Sequence, residues 1–201
     1  MLVNCQAGNS ATSRAIIFAQ RDKRDFYFPD RQWKTSFTGG SSEFEDNGER
    51  MKDARVLFHY YATVITPAMA APKVGTGSVY AYAGRGSEGM CFDGGKTYQI
   101  TLPASIPANN FWSFMVCDNK TRWMLETDQK AAGLDSNSPD VKANEDGSCA
   151  VYFGPGAPKG REGNWVQTIP GKGWNMLLRL YGPLWPWFDK TCKPGEFEPV
   201  K

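Results

Sequence analysis

The chain is short of the residues on which much enzyme chemistry depends. It has one histidine, His59, and five cysteines without a CxxC pair, in 201 residues. A zinc site made of several imidazoles is therefore excluded, and no cysteine motif replaces it. His59 lies inside the apolar run LFHYYATV, so we interpret it as a packed or partly exposed helical residue rather than a catalytic base. The sequence predicts no cofactor.

An excess of charge of one sign is also missing. The 23 basic and 21 acidic residues leave a formal net charge of +2, which argues against a dedicated nucleic-acid-binding protein. No run reaches the roughly 18 apolar residues that a membrane span needs, so we predict no membrane span. The first residues show neither the basic start nor the apolar core of a signal peptide, and the sequence alone leaves the location unknown.

The cysteines leave their pairing open. Their odd number leaves at least one thiol free, and their wide spacing is not that of a disulfide framework. Cys117 and Cys149 lie in strand-like runs, so we expect both to be small buried apolar residues.

Aromatic residues, in contrast, are abundant: 7 Trp, 8 Tyr and 12 Phe. Flat rings pack well across the strands of a β core, and most of these rings lie within apolar runs. We therefore favour a core role for them. The alternative is a face that stacks on sugars or other rings.

Two stretches near the start have helical spacing. Ser10–Arg21 predicts a helix of about three turns, which is marginal alone and must pack on something. Glu49–Ile65 predicts a second helix, which Thr66-Pro67 should end or kink. Its apolar stripe should include Met51, Ala54, Arg55, Phe58, Ala62 and Ile65.

From Val74 onward, short apolar runs alternate with Gly and Pro turns. This pattern is typical of an antiparallel sandwich or barrel. Phe111–Cys117 is apolar on both faces and should be a central strand, and Trp174–Tyr181 should alternate between two faces. The other predicted strands are Val79–Ala83, Lys96–Leu102, Trp123–Glu126, Cys149–Phe153 and Trp165–Ile169.

Two motifs have a plain interpretation beside a functional one. Gly84–Gly89 superficially resembles a phosphate loop, but it lacks the lysine and the following helix, so we interpret it as a strand-to-strand loop. The acidic residues from Glu43 to Glu49 could hold calcium, but their spacing is irregular and a solvated loop is the better interpretation.

Charged residues in apolar surroundings are the remaining candidates. Arg55, Asp118, Arg122 and Arg179 should be paired if they are buried. They would then form structural ion pairs or, alternatively, an arginine-lined pocket for an anion. The candidate ligand-binding residues are Tyr60, Arg85, Glu88, Asp118 and Arg122.

Four segments of the chain resemble a known family. RQWKTSF (Arg31–Phe37) and DARVLFHYYATVITPAM (Asp53–Met69) begin the match, which continues through Asp93–Gln129 and Asp146–Val200. The chain is identified on these segments as a member of the bacterial family "domain of unknown function 1214", which usually follows a partner called "domain of unknown function 1254".

The resemblance implies an α+β, mainly antiparallel fold with a jelly-roll-like β-sandwich over 74–201. Residues 1–73 would be a helical lead-in and extended segment, the remnant of a longer N-terminal region. Relatives of full length are expected in the periplasm or envelope. The family has no agreed activity, so the resemblance identifies no site residue.

Three hypotheses for function follow. The first is a non-catalytic module of an envelope protein that binds a small molecule or glycan, or serves in assembly. The second is a hydrolase-type enzyme whose carboxylate, tyrosine and arginine site is completed by a missing N-terminal β domain. In the third, the chain has no independent role and self-associates through an apolar surface left exposed.

Overall fold

Alternation of apolar and more polar residues along two long strands organises the fold. The computed structural model describes residues 22–62 and 64–200, so the helix predicted over Ser10–Arg21 lies outside the described residues. β6 (Ala108–Asp118) and β10 (Gly173–Pro183) pair antiparallel in the middle of one sheet. The predicted central strand Phe111–Cys117 and the predicted strand Trp174–Tyr181 are both confirmed. As expected, one face of β10 is buried: Trp174, Met176, Leu178 and Leu180.

These two strands belong to a five-stranded antiparallel sheet. β10 also pairs with β3 (Ser78–Ala83) and β4 (Phe92–Asp93), and β6 pairs with β7 (Gly133–Asp135). A four-stranded sheet has the order β11 (Glu198–Pro199), β5 (Tyr98–Leu102), β8 (Cys149–Gly154) and β9 (Trp165–Gln167). In this sheet only the β8–β9 pair is parallel.

The two sheets share one hydrophobic core. Phe114 of β6 and Phe153 of β8 meet with their ring centroids 5.5 Å apart, and Trp174 of β10 lies 5.6 Å from Phe153. The core role that we favoured for the aromatic residues is confirmed for these rings, which are at most 2% exposed. The α+β class with mainly antiparallel strands is confirmed, whereas the jelly-roll connectivity stays a prediction.

The region before the sandwich contains a hairpin and short helices. β1 (Glu45–Asp46) and β2 (Glu49–Arg50) pair across Asn47-Gly48, where both residues have the positive φ that a two-residue hairpin turn requires. The helices are α1 (Lys52–Tyr61) and α2 (Pro67–Ala70), and single 3₁₀ turns lie at Lys23–Asp25 and Thr38–Gly40.

The predicted helix over Glu49–Ile65 was therefore too long. Glu49 is paired with Asp46 in the hairpin, and Ala62 has an extended backbone that ends α1. Pro67 begins α2 instead of ending α1, because proline is well suited to the first position of a helix.

A second, smaller hydrophobic cluster surrounds α1. It contains Phe37 and Phe44 together with three residues of the predicted stripe: Met51, Ala54 and Phe58. Arg55 was wrongly placed on that stripe, since its side chain is exposed.

An extended segment links the edges of the two sheets. The backbone of Lys34 exchanges hydrogen bonds of 2.7 and 2.8 Å with that of Tyr82 in β3. Its neighbour Trp33 donates its indole N–H to the carbonyl of Gly195 at 2.8 Å, and the backbone N–H of Gln32 donates to Glu196 Oε1 at 2.9 Å. This segment, residues 26–37, is called the strap below.

One predicted strand, Trp123–Glu126, is wrong. Asp118 and the residues that follow form a turn in which Arg122 has φ 69°, and the chain then contacts β6 only briefly, through Trp123 and Leu125, without forming a strand. Met124 makes a single bridge, to Cys117.

The two cysteines that we expected to be buried differ in exposure. Cys149 is buried, as expected. Cys117 is only half-buried, because it faces outward from β6.

The edge of the four-stranded sheet at β9 is occupied by a side chain. The Gln129 amide accepts a hydrogen bond from the backbone N–H of Gln167 (2.7 Å) and donates one to the carbonyl of Trp165 (3.2 Å). Asp128 makes two further bonds with the Gln167 side chain. A loop thus takes the place of a further strand here.

The outer faces of the two sheets differ in composition. The four-stranded sheet presents polar residues such as Gln99, Thr101 and Gln167. The five-stranded sheet presents half-buried apolar and aromatic residues around Arg179, here called the apolar outer face: Tyr80, Phe111, Met115, Leu177 and Tyr181. In the described part of the chain, no helix is both long and apolar enough to cross a membrane.

Candidate functional site

A cleft of about 470 Å³ lies at one end of the sandwich, where three turns meet. The turns are the loop after β3, the β4–β5 turn and the turn that leads into β10. Its volume lies in the range of small-molecule sites in proteins. The polar residues that line it are Glu88, Asp93, Lys96, Tyr98, Asn119 and Lys172.

Aromatic stacking makes the base of this cleft rigid. The Phe92 ring, which lines the cleft, stacks on Trp174 with centroids 4.1 Å apart and 13° between the planes. The Tyr98 hydroxyl accepts a hydrogen bond from the backbone N–H of Asp93 at 3.1 Å, and burial raises the pKa of Tyr98. The Tyr98 hydroxyl therefore keeps its proton at neutral pH and can donate it in a hydrogen bond.

Lys172 is held at the cleft by a buried carboxylate. Its ammonium lies 3.2 Å from Asp118 Oδ2, and the Asp118 side chain is 5% exposed. Burial alone would raise the pKa of Asp118, but hydrogen bonds from the backbone N–H groups of Lys120 and Thr121 and from Lys172 outweigh it, so the pKa is lowered. Asp118 thus stays ionised and anchors Lys172 as a fixed positive group.

A buried hydrogen bond between two amide side chains fixes the orientation of Asn119. Asn175 Nδ2 donates to Asn119 Oδ1 at 2.8 Å, and both residues are buried. The Nδ2 of Asn119 is consequently turned toward Gly173, where an added Cβ would lie 3.0 Å from it. Gly173 lines the cleft, and the amide nitrogen of Asn119 is buried behind it.

The loop after β3 carries Glu88 to the mouth of the cleft. Arg85 Nη1 donates to the carbonyl of Gly89 at 3.0 Å, and the N–H of Gly86 donates to the carbonyl of Met90 at 3.0 Å. Gly89 has φ 71°, which favours glycine in this tight turn. The segment is a strand-to-strand loop, as we interpreted it from the sequence.

The five candidate residues are only partly brought together. Glu88 lines the cleft, Asp118 lies beneath Lys172, and Arg85 holds the loop without lining the cleft. Arg122 is exposed in the turn that follows Asp118. Tyr60 belongs to α1, and its side chain lies outside the described residues.

Sequence reasoning missed the residues that contribute most to the cleft, namely Asp93, Lys96, Asn119 and Lys172. Two of them adjoin glycine turns: Asp93 precedes Gly94-Gly95, and Lys172 precedes Gly173. The signal available was therefore a charged residue beside a Gly-rich turn, but it did not show which turns meet.

The cleft suits hydrogen bonding better than nucleophilic chemistry. The chain's single histidine, His59, is exposed on α1, and Cys117 has its pKa raised to about 11 by burial and by the nearby Asp118 charge. Among the described residues, no group of three or more His, Cys, Asp or Glu side chains could hold a metal ion. The carboxyl groups whose pKa is raised by burial, Asp25 and Glu196, do not line this cleft.

Three of the carboxylates considered for calcium, those of Glu45, Asp46 and Glu49, have protein partners. Asp46 lies 2.8 Å and Glu49 3.7 Å from Arg24, and Glu45 lies 3.1 Å from Arg50. A separate polar cleft of about 320 Å³ contains Lys142, Arg161 and Asn164, and it provides a reference surface for experiments.

Comparisons with known proteins agree on the fold. The family model described as "Protein of unknown function (DUF1214)" matches residues 77–184. The crystal structure of the VPA0106 protein from Vibrio parahaemolyticus is similar, with a TM-score of 0.57 and 22% identity, over 77% of this chain and 36% of that chain.

An uncharacterised protein from Burkholderia cenocepacia matches with a TM-score of 0.41 and 20% identity, over 64% of this chain and 31% of that chain. The chain thus spans about a third of the length of these two structures. No curated protein matches the chain.

Proposed function

This chain belongs to the DUF1214 family of proteins of unknown function, whose model covers more than half of it, and we propose that it is a non-catalytic module that binds a small polar ligand. The ligand occupies the cleft beside Lys172. The observation that carries the proposal is the position of Lys172, which the buried carboxylate of Asp118 holds at the rim of that cleft.

The groups around the cleft indicate the chemistry of the ligand. Lys172 and Lys96 supply hydrogen-bond donors, and Asp93 and Glu88 supply carboxylate acceptors. Two positive and two negative side chains balance each other, which disfavours a highly charged ligand. A neutral molecule with several hydroxyl groups, such as a sugar, satisfies both kinds of group.

The hydrolase alternative lacks a specific observation in its favour. The predicted carboxylate that is most buried, Asp118, is kept ionised by its partners and is not poised as an acid. The role of Tyr60, Arg85, Glu88 and Arg122 in any reaction stays a prediction.

The context of the whole protein is also a proposal. A jelly-roll domain over 74–201, a partner β domain before it and a place in the bacterial envelope agree with the family resemblance. Because the chain spans about a third of its structural relatives, assembly with another domain is compatible with binding in the cleft.

The test is a thermal-shift screen of neutral mono- and disaccharides, polyols and amino acids, followed by titration of any compound that raises the melting temperature. Lys172→Met should weaken the affinity of such a compound about tenfold or more, because a charge-assisted hydrogen bond is lost. Lys142→Met in the reference cleft should leave the affinity unchanged.

Melting of each variant without ligand separates binding from folding, since Lys172→Met also removes the partner of Asp118. The proposal fails if no compound in the panel shifts the melting temperature. It also fails if a compound binds equally well to the wild type and to Lys172→Met.

A further inference from the structure

A second cleft, of about 390 Å³, lies between the sandwich and the region that precedes it. The strap, α2 and β3 all contribute to it, and it is called the apolar groove below. Its volume is in the range of small-molecule sites in proteins. It shares no described lining residue with the cleft beside Lys172. Most of its wall is apolar or aromatic: Phe26, Tyr27, Phe37, Met69, Ala70, Pro72, Val79 and Tyr80.

The apolar groove separates the two hydrophobic clusters of the molecule. Tyr27 and Val79 belong to the core of the sandwich, whereas Phe37, Met69 and Ala70 belong to the cluster around α1. Each cluster therefore has apolar side chains on the groove. A small apolar molecule bound there would contact both clusters and remove apolar surface of each from water, which favours binding.

Contacts within the protein hold the aromatic wall in place. The Tyr27 hydroxyl donates a hydrogen bond to the carbonyl of Tyr80 at 2.9 Å, and its ring meets Trp187 edge-on with centroids 5.0 Å apart. Phe37 packs against Phe58, also with centroids 5.0 Å apart. Because these rings are already ordered, a ligand that contacts them causes little further loss of side-chain entropy.

Three charged residues line the apolar groove, and two of them neutralise each other. Arg24 lies 2.8 Å from Asp46, and it also lies 2.7 Å from Asp22. The third, Lys190, is exposed and makes no ion pair with a described residue. The groove therefore offers a positive partner to a negative ligand group, whereas its one carboxylate, that of Asp46, is already paired.

We infer that the apolar groove is a second binding site, for a small amphiphile with an apolar body and one carboxylate. The body lies between the two hydrophobic clusters, and the carboxylate faces Lys190. Met69 suits bodies of different shape, because the methionine side chain is flexible and polarizable. The cleft beside Lys172 has balanced charges and more polar walls, so this site takes a different class of ligand and does not depend on the proposed function.

Octanoate is the probe, because it combines an unbranched apolar chain with one carboxylate. Calorimetric titration of the full chain, below the concentration at which octanoate forms micelles, compares it at equal ionic strength with octanol, octylamine and acetate. Octanoate should bind most tightly. Octanol should bind about threefold more weakly, since an ion pair with an exposed lysine adds little. Octylamine should bind more weakly still, and acetate, which has no apolar body, should not bind.

Two substitutions on α2 locate the bound octanoate. Ala70→Phe places a ring in the groove and should lower the octanoate affinity about tenfold or more, because the space for the apolar body is filled. Ala68→Phe adds the same ring at an exposed position of the same helix that does not line the groove, so the affinity should stay unchanged. Thermal melting of both variants without octanoate shows whether they fold like the wild type.

Lys190→Gln tests the charge and leaves α2 intact, so it decides the matter if Ala70→Phe does not fold. It should weaken octanoate about threefold and leave octanol unchanged. Lys159→Gln, at an exposed lysine that does not line the groove, is the matched control and should change neither affinity.

Several results would overturn the inference. They are no binding of octanoate, equal affinities in the wild type and in a folded Ala70→Phe, or equal weakening of octanoate and octanol by Lys190→Gln. A second copy of the chain in the groove would make the octanoate affinity fall as the protein concentration rises, and that outcome would also overturn it.

Lys172→Met keeps this test separate from the test of the proposed function. The octanoate affinity of that variant should equal that of the wild type, because Lys172 does not line the apolar groove. A loss of octanoate binding in Lys172→Met would place octanoate in the other cleft and overturn the inference. Failure of the saccharide screen would leave the octanoate result as it is.

Discussion

The outer faces of the two sheets carry different residues although both sheets share one core. The four-stranded sheet has Gln99 and Thr101 on its outside, as expected for a face that meets water. The five-stranded sheet has Leu177, Met115 and Phe111 in the corresponding positions. Both sheets alternate with a period of two, and the outside of the four-stranded sheet is the more polar one, with Gln99, Thr101 and Gln167 beside Tyr152 and Trp165.

The difference shows that the alternation of apolar and polar residues along a strand depends on how many of its two faces are buried. β6 is apolar on both faces in FWSFMVC, and it is central in the sheet, yet its outward residues are only half-buried by the described part of the chain. Apolar residues on both faces thus mark a strand at the centre of a sheet even where one of its faces is only half-buried.

The largest difference is expected when asparagine replaces one outward residue on each face. Leu177→Asn should destabilise the fold by about 2 kcal/mol, because a side chain packed against Met115 and Tyr82 is lost and an amide is placed among apolar groups. Thr101→Asn on the four-stranded sheet should cost below about 0.5 kcal/mol.

Urea unfolding of the wild type and of both variants measures how much free energy of unfolding each substitution removes. Equal losses would mean that the apolar outer face is not covered in solution, and the contrast between the two faces would have no energetic meaning.

A smaller effect is expected at Arg179. Arg179→Lys keeps the positive charge but removes the planar group between Tyr80 and Tyr181, so it should cost about 1 kcal/mol. Arg50→Lys, at an ion pair whose arginine side chain is 79% exposed, is the control and should change stability little. Thermal melting compares them, and an unchanged melting temperature in Arg179→Lys would refute the stacking.

The smallest effect is expected in the strap, which links the edges of the two sheets. Burial raises the pKa of Glu196, which accepts a hydrogen bond from Gln32 in the strap. A raised folded pKa means that Glu196 contributes stability fully below its unfolded pKa of about 4.3 and loses it as the pH rises through the folded value.

Glu196→Gln keeps the acceptor oxygen and removes this titration. Its melting temperature should therefore fall less than that of the wild type as the pH is raised from 4 to 7. Parallel pH profiles of the two proteins would show that Glu196 is not buried in solution.

The sequence predicted the strands better than it predicted the helix or the cleft. Alternation along Trp174–Tyr181 was sufficient because burial has a period of two in a strand. The ends of α1 were missed because pairing of Glu49 with Asp46 overrides the helical spacing of that residue. Trp123–Glu126 has strand-like composition, but after the turn anchored by Asp118 it makes only an isolated bridge to β6 instead of a continuous strand.

The cleft could not be predicted because its parts are distant in the sequence. Asp93, Asn119 and Lys172 come together through the pairing of β4 with β10 and of β10 with β6, and no local pattern encodes that register. The predicted residue Glu88 was found because a Gly-rich loop is visible locally, and Asp118 because a carboxylate follows an apolar strand.

The Gln129 side chain at the β9 edge has a consequence for how the protein behaves at high concentration. An open strand edge is a template for adding a strand from another molecule, which is how sheets grow into aggregates. Gln129 engages the N–H of Gln167 and the carbonyl of Trp165, so an incoming strand would first have to displace it. One amide side chain therefore makes this edge a poor site for the growth of fibrils, without adding a strand to the sheet.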